Sequence, residues 1–204
     1  YEVGTRYNDE VWGGEVTLFY IDFSDELQYV SNDVGWTNLG ATKHTGIETS
    51  AHYDLSNLDP RLEGLSANAG FTYTRATAEG DVAFKGRDLP LYSRQVATLG
   101  LRYAVNHWTH NLDAYAQSGQ RAPGTTSTYI TQPTADGQYG DIPGYVSVNV
   151  RSGYDFGAQL SNLKLGVGVK NLFDQQHYTR SSDNNAGIYL GEPRTFFVQA
   201  SVGF

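Results

Sequence analysis

His44, Glu48 and His52 stand at intervals of four residues. On a helix that spacing would put two imidazoles and a carboxylate on one face, as in a metal site. On a strand, positions four apart are separated by about 13 Å, too far to share one ion. The flanking residues decide for a strand. Leu39, Ala41, Thr45, Ile47, Ala51 and Tyr53 alternate with Asn38, Thr42, His44, Glu48, Ser50 and His52. The two histidines are therefore expected as polar residues of one strand face. Asp183-Asn184-Asn185 offers oxygen donors to calcium, but its carboxylate count is low and a polar turn is the expectation. Serine, histidine and aspartate are scattered without a nucleophile elbow. Gly166 and Gly168 belong to a strand face rather than to a phosphate-binding loop ahead of a helix. No catalytic constellation assembles, so the chain is expected not to be an enzyme, and no resident metal or cofactor is expected.

Composition narrows the field further. Cysteine is absent, which excludes disulfides and thiolate metal sites. A formal charge of −8 argues against a nucleic-acid partner, which needs a basic footprint. The same charge means that an anionic ligand needs a local basic site. Methionine is absent even at position 1 and no signal peptide is present, so the chain is expected to be part of a longer precursor.

Period-two alternation organises the chain. Leu65, Ala67, Ala69, Phe71 and Tyr73 oppose Ser66, Asn68, Gly70, Thr72 and Thr74. Val146, Val148 and Val150 oppose Ser147, Asn149 and Arg151. Leu163, Leu165, Val167 and Val169 oppose Lys164, Gly166, Gly168 and Lys170, and Phe196, Val198, Ala200, Val202 and Phe204 oppose Thr195, Gln199, Ser201 and Gly203. Near the start, Phe19, Ile21, Phe23, Leu27 and Tyr29 are read as the apolar face against Asp22, Ser24, Glu26 and Gln28. The pattern predicts about nine strands and no helix. Short links near 8–12, 55–64, 106–107 and 157–162 alternate with long ones near 31–37, 78–90, 120–143 and 174–192. Short turns on one side and long loops on the other describe an outer-membrane barrel.

A soluble sandwich alternates as well. It does not explain strands longer than the usual 5–6 residues, or a polar face that carries Asp, Glu, Arg, Lys and His throughout. Aromatics near strand ends (Tyr7, Tyr53, Tyr103, Trp108, Tyr145, Tyr154, Phe156 and Phe204) suit interfacial girdles. Mean hydropathy of −0.45 is compatible with a barrel, because only alternate residues face lipid. The expected fold is all-β, an antiparallel transmembrane β-barrel. An odd strand number implies that further strands close it.

Gly168-Val169-Lys170-Asn171-Leu172-Phe173-Asp174, Tyr178, Gly191-Glu192-Pro193-Arg194 and a final strand to Phe204 resemble the C-terminal end of TonB-dependent outer-membrane receptors. Tyr1-Glu2-Val3-Gly4, Phe19-Tyr20-Ile21-Asp22-Phe23 and Asn38-Leu39-Gly40…Gly46-Ile47-Glu48 are similar to that family in the same order. Residues 36–44 and 180–185 look most like ferric-citrate receptors. The resemblance implies that residues 1–204 are the C-terminal part of a 22-stranded barrel. A plug domain and the segment that engages the TonB complex would lie N-terminal to it. It also implies long loops outside the cell and insertion by the barrel-assembly machinery, which would read Phe204. Asn171, Leu172, Phe173, Asp174, Pro193 and Arg194 would be structural.

The resemblance further implies siderophore or ferric-citrate transport, with iron only as part of the transported chelate. An anionic chelate calls for arginine, which can bind carboxylates through two parallel hydrogen bonds. Arg75, Arg87, Arg121 and Arg180 are the candidates near the outer ends, with Gln28 and Gln120 as neutral donors. Arg94 and Arg102 are expected lower on the lumenal wall. Another siderophore, or a barrel enzyme or adhesin, are the alternative readings.

Overall fold

The computed structural model describes residues 1–31, 35–80, 85–122, 140–160, 162–181 and 188–203. Thirteen strands run in chain order among them: β1 (Glu2–Asn8), β2 (Trp12–Ser31), β3 (Gly35–Asp54), β4 (Leu65–Ala78), β5 (Gln95–Val105), β6 (Trp108–Gln117), β7 (Gln120–Arg121), β8 (Asp141–Ile142), β9 (Tyr145–Asp155), β10 (Lys164–Lys170), β11 (Tyr178–Ser181), β12 (Ile188–Leu190) and β13 (Thr195–Ser201). Nine of them form one antiparallel sheet in the order β1-β2-β3-β4-β5-β6-β9-β10-β13. The remaining four make two small ribbons, β7–β8 and β11–β12, within the long connections.

Register shows why the sheet is a wall rather than half of a sandwich. The row Trp12, Tyr53, Ala67, Leu101, Leu112, Val150, Val169 and Phe196 crosses eight strands on one face. The adjacent row, Asp54, Ser66, Arg102, Asn111, Arg151 and Gly168, lies on the other. Among the described residues no second layer covers the apolar side: Leu18 is 51% exposed, Phe71 41% and Leu99 45%. Among the described residues the buried apolar side chains are Ala76, Ala78, Leu89, Pro90, Ala122 and Ile142. A bare apolar face of this extent needs a partner phase. Lipid supplies it without asking the polar face to be dry.

The phase of β2 departs from the reading of its sequence. Phe19, Ile21 and Phe23 pair with Gly46, His44 and Thr42 and so share the polar, lumenal face. Trp12, Val16, Leu18 and Tyr20 point the opposite way. The register with β3 decides this, and Gly46 accommodates it: a Cβ there would collide with the Phe19 ring and the Tyr73 carbonyl. A shift between Phe23 and Glu26 then keeps Glu26 on the lumenal face, opposite Gly40.

The short links are turns, including two 3₁₀ turns at Leu55–Asn57 and Pro60–Leu62. Asp54 and Asp59 cap these by accepting from the N–H groups of Ser56 and Arg61. The link expected at 31–37 is mostly strand, because β2 and β3 each run for 20 residues. The aromatics expected at strand ends divide. Tyr7, Trp12, Tyr53, Tyr103, Trp108 and Tyr154 gather on the apolar face beside the short turns, with Trp108 and Tyr154 rings 4.8 Å apart. Tyr145 pairs with Gln117 on the lumenal side and stacks on His177 at 4.1 Å. Phe204 lies outside the described residues.

Candidate functional site

The lumenal face near the long loops is built by the upper ends of β2, β3 and β4 and by the returning segment 85–92. A bridge pairs Thr77 with Asp88. Alternation then leaves Arg87 and Leu89 on the lumenal side, where Leu89 packs with Ala76 and Ala78. Below them, Thr42 Oγ1 donates to the Glu26 carboxylate, and His44 Nε2 lies 3.4 Å from the same Glu26 Oε2. The His44 ring is flanked edge-on by Phe23 at 5.5 Å and Tyr92 at 5.3 Å. Thr42 is fully buried and His44 nearly so. Burial, and then the nearby Glu26 charge, raise the Tyr92 phenol above its ordinary value. Alternation places Glu26 on a polar face but not the bulge that aims it at Thr42 and His44, and Tyr92, in a loop, carries no period at all.

Arg87 and Arg121 are brought together. Burial and then the Arg121 cation hold the Arg87 guanidinium below its usual value. Arg121 also pairs with Asp141 across the β7–β8 ribbon, Nη1 to Oδ1 at 3.6 Å. Both partners are partly exposed, so this pair contributes less than about 1 kcal/mol. Leu91 N–H donates to the Arg121 carbonyl at 2.9 Å, which seats the two arginine-bearing segments against each other.

The other candidates fall elsewhere. Arg75 pairs with Thr45, and both share the outward face with Tyr20. It therefore leaves the lumenal set, because odd positions of β4 continue the apolar phase of Phe71 and Tyr73. Gln120 is buried and its Nε2 donates to the Thr179 carbonyl at 2.7 Å. That bond ties the first ribbon to β11, so Gln120 works as a tether. Arg94 holds Asp88 through Nη2 at 2.7 and 2.5 Å. Arg102 keeps its place low on the lumenal wall, between Ser66 and Asn111. The side chains of Gln28 and Arg180, and all of Asp183, Asn184 and Asn185, lie outside the described residues.

Asn171, Asp174, Glu192 and Arg194 form a clasp at the start of β13. Asn171 is 3% exposed and adopts φ 46°, which asparagine tolerates. Its Nδ2 donates to the carbonyls of Gln175 and Glu192, and its Oδ1 accepts from Gln175 N–H. Its own N–H reaches Asn149 Oδ1 in β9, and Leu172 N–H reaches the Val148 carbonyl. Asp174 accepts from Arg194 N–H and Nη2, and Lys170 pairs with Glu192. Gly168 faces the Phe197 ring, which leaves no room for a Cβ.

Comparison with known proteins agrees with this architecture. The family described as TonB dependent receptor-like, beta-barrel, matches residues 1–172. The unliganded ferric citrate transporter FecA superposes with a TM-score of 0.87 at 39% identity, over 98% of this chain and 30% of that one. The metal-pseudopaline receptor CntO of Pseudomonas aeruginosa is 26% identical over 82% of this chain and 22% of its own length. The catecholate siderophore receptor Fiu of Escherichia coli is 25% identical over the whole chain and 25% of its own length. The chain thus spans less than a third of each of these relatives, which are receptors and transporters. The chain belongs to the TonB-dependent receptor β-barrel family and resides in the outer membrane.

Proposed function

We propose that these residues form part of the wall and loops of a receptor that captures a ferric chelate of the citrate class and carries it across the outer membrane. The observation that carries this reading is the seating of the 85–92 segment on β7, where Leu91 N–H donates to the Arg121 carbonyl at 2.9 Å and Arg87 comes within the field of Arg121. The 39% identity to a ferric citrate transporter supports it. A citrate chelate is polyanionic, and paired guanidiniums offer it parallel hydrogen bonds. Arg180 belongs to the same proposal on sequence alone. The chain has no chemical role of its own in this reading, and iron passes as cargo rather than as a cofactor.

The two bare edges of the sheet, β1 and β13, support closure by further strands, since unpaired backbone groups are prohibitive in lipid. Energy would come from TonB, acting through a plug and a contact segment outside residues 1–204, and the barrel-assembly machinery would recognise the last strand. The test is ferric citrate binding to the full-length receptor, followed by tryptophan quenching. Arg87→Gln and Arg121→Gln are each expected to weaken it about tenfold, as for loss of a charge-assisted hydrogen bond. Ferric catecholate and hydroxamate chelates serve as comparison arms. Unchanged ferric citrate affinity in the double variant, or tighter binding of another chelate, would reject this ligand assignment.

A further inference from the structure

The strand paired with β4 continues beyond the start of β5. Gln95 stands opposite Tyr73, and Asp88 stands opposite Thr77. From the first pair to the second β4 advances four residues, while its partner advances seven. Three extra residues are therefore pushed out of the ladder. Thr74 N–H donates to the Arg94 carbonyl and Leu89 N–H to the Ala76 carbonyl, both at 2.9 Å, so the bulge lies within 90–93. Pro90 has no N–H to lose there.

An odd surplus swaps faces. In the unbroken register of β5 the odd positions Ala97, Leu99 and Leu101 point outward with Phe71, Ala69 and Ala67. Arg87, also odd, would follow them into the outward set. After the bulge it stands beside Ala78 instead, on the lumenal face, and Ala78 N–H donates to its carbonyl at 3.1 Å. The lumenal address of Arg87 is thus a property of the bulge. The methyl groups of Ala76 and Ala78 under Leu89 do little to fix the register, since a shifted strand meets the same methyls.

Three contacts hold the bulge. Leu91 is at φ 63°, a conformation that leucine keeps only where its surroundings impose it, and its N–H donates to the Arg121 carbonyl. Arg94 grips Asp88 across the base of the bulge. Tyr92 lays its ring edge-on against His44 at 5.3 Å, and His44 Nε2 is in turn 3.4 Å from both Thr42 Oγ1 and Glu26 Oε2. His44 is 6% exposed, so the ring beneath Tyr92 is a fixed seat.

We infer that Tyr92 and His44 are positioning residues for Arg87: the seated tyrosine fixes the bulge, and the bulge turns the guanidinium into the lumen. The inference rests on the reading of Arg87 as a group that binds the chelate, and it assigns no contact between Tyr92 and the chelate.

The test uses the full-length receptor and two readouts. Without ligand, amide exchange at Leu89 is expected to rise about tenfold in Tyr92→Leu and in His44→Leu, and to stay within about twofold of the parent in Tyr92→Phe, which keeps the ring. With ferric citrate, Tyr92→Leu is expected to weaken binding about tenfold, and Tyr92→Leu with Arg87→Gln no more than Arg87→Gln alone. Tyr92→Phe is expected to bind like the parent. A loss of about a hundredfold in the double variant would mean two independent effects and would overturn the inference. So would parent-like exchange at Leu89 in Tyr92→Leu, or weakened binding in Tyr92→Phe, which would mark the phenol as a group that binds the chelate. If Arg87→Gln leaves the affinity unchanged, the citrate reading fails, and exchange at Leu89 still decides the bulge. Exchange within β5 is expected to match the parent in every variant, which checks that each barrel is folded.

Discussion

Asp174 holds Arg194 twice, accepting from its backbone N–H at 3.0 Å and from its Nη2 at 3.3 Å. Nineteen residues, strands β11 and β12 among them, lie between the two, and the second partner directly precedes β13. The pair therefore fixes where the last strand begins. The ion pair is half-exposed and adds little; the bond to the backbone sets the register.

Asn171 should matter more than Asp174 to the stability of this clasp. Asn171→Ala removes buried donors to two carbonyls and is expected to cost about 2–3 kcal/mol, against about 1 kcal/mol for Asp174→Ala. Urea unfolding of the full-length receptor in micelles gives both values. Equal costs, or the reverse order, would contradict the geometry.

Gly46→Ala is expected to lower the yield of folded barrel, because its Cβ meets the Phe19 ring and the Tyr73 carbonyl. Adding Phe19→Ala should restore part of the yield and not all of it, since the carbonyl contact remains. Full recovery, or no defect in the single variant, would show that the strands adjust without strain.

Acid should loosen the first turn. Asp9 accepts from Trp12 N–H, Tyr7 hydroxyl and Val11 N–H, and these bonds hold its carboxyl below the usual value. A depressed carboxyl contributes stability above its unfolded value of about 3.9, and that contribution is lost as pH falls through the lower folded value. Amide exchange at Val11 and Trp12, corrected for intrinsic rate, should accelerate across that window. Asp9→Asn should flatten the dependence, and an unchanged profile would remove Asp9 as its source.

Gln120→Ala should release the second ribbon from the first. Exchange at the amides of β11 and β12 is expected to rise several-fold, as for loss of one hydrogen bond of about 1 kcal/mol. Exchange in β9 and β10 should stay as it was. Uniform acceleration across all four strands would point to general destabilisation instead.

Alternation made most of the wall readable. Leu65 to Tyr73, Val146 to Val150 and Leu163 to Val169 fall on the faces that their sequence predicts. The period fixes which residues share a face; it does not say which face meets lipid. Phe19, Ile21 and Phe23 illustrate this, because aromatics on the lumenal side look the same as aromatics in a bilayer. Arg75 was legible, since it continues the odd phase of Phe71 and Tyr73, but its charge drew it into the ligand set. The ribbon β7–β8 is two residues per strand and carries no period at all. The meeting of Arg87 with Arg121 depends on how two loops fold back, which no local pattern encodes.

The two 20-residue strands β2 and β3 have a further consequence. At about 3.4 Å per residue each runs for about 68 Å, nearly twice the length of the 11-residue β5 further along the sheet. Beyond Thr42 the outer part of β3 pairs with β2 and, among the described residues, not with β4. That stretch is held from one side where the rest of β3 is held from two, so its amides are expected to exchange with solvent faster than those below.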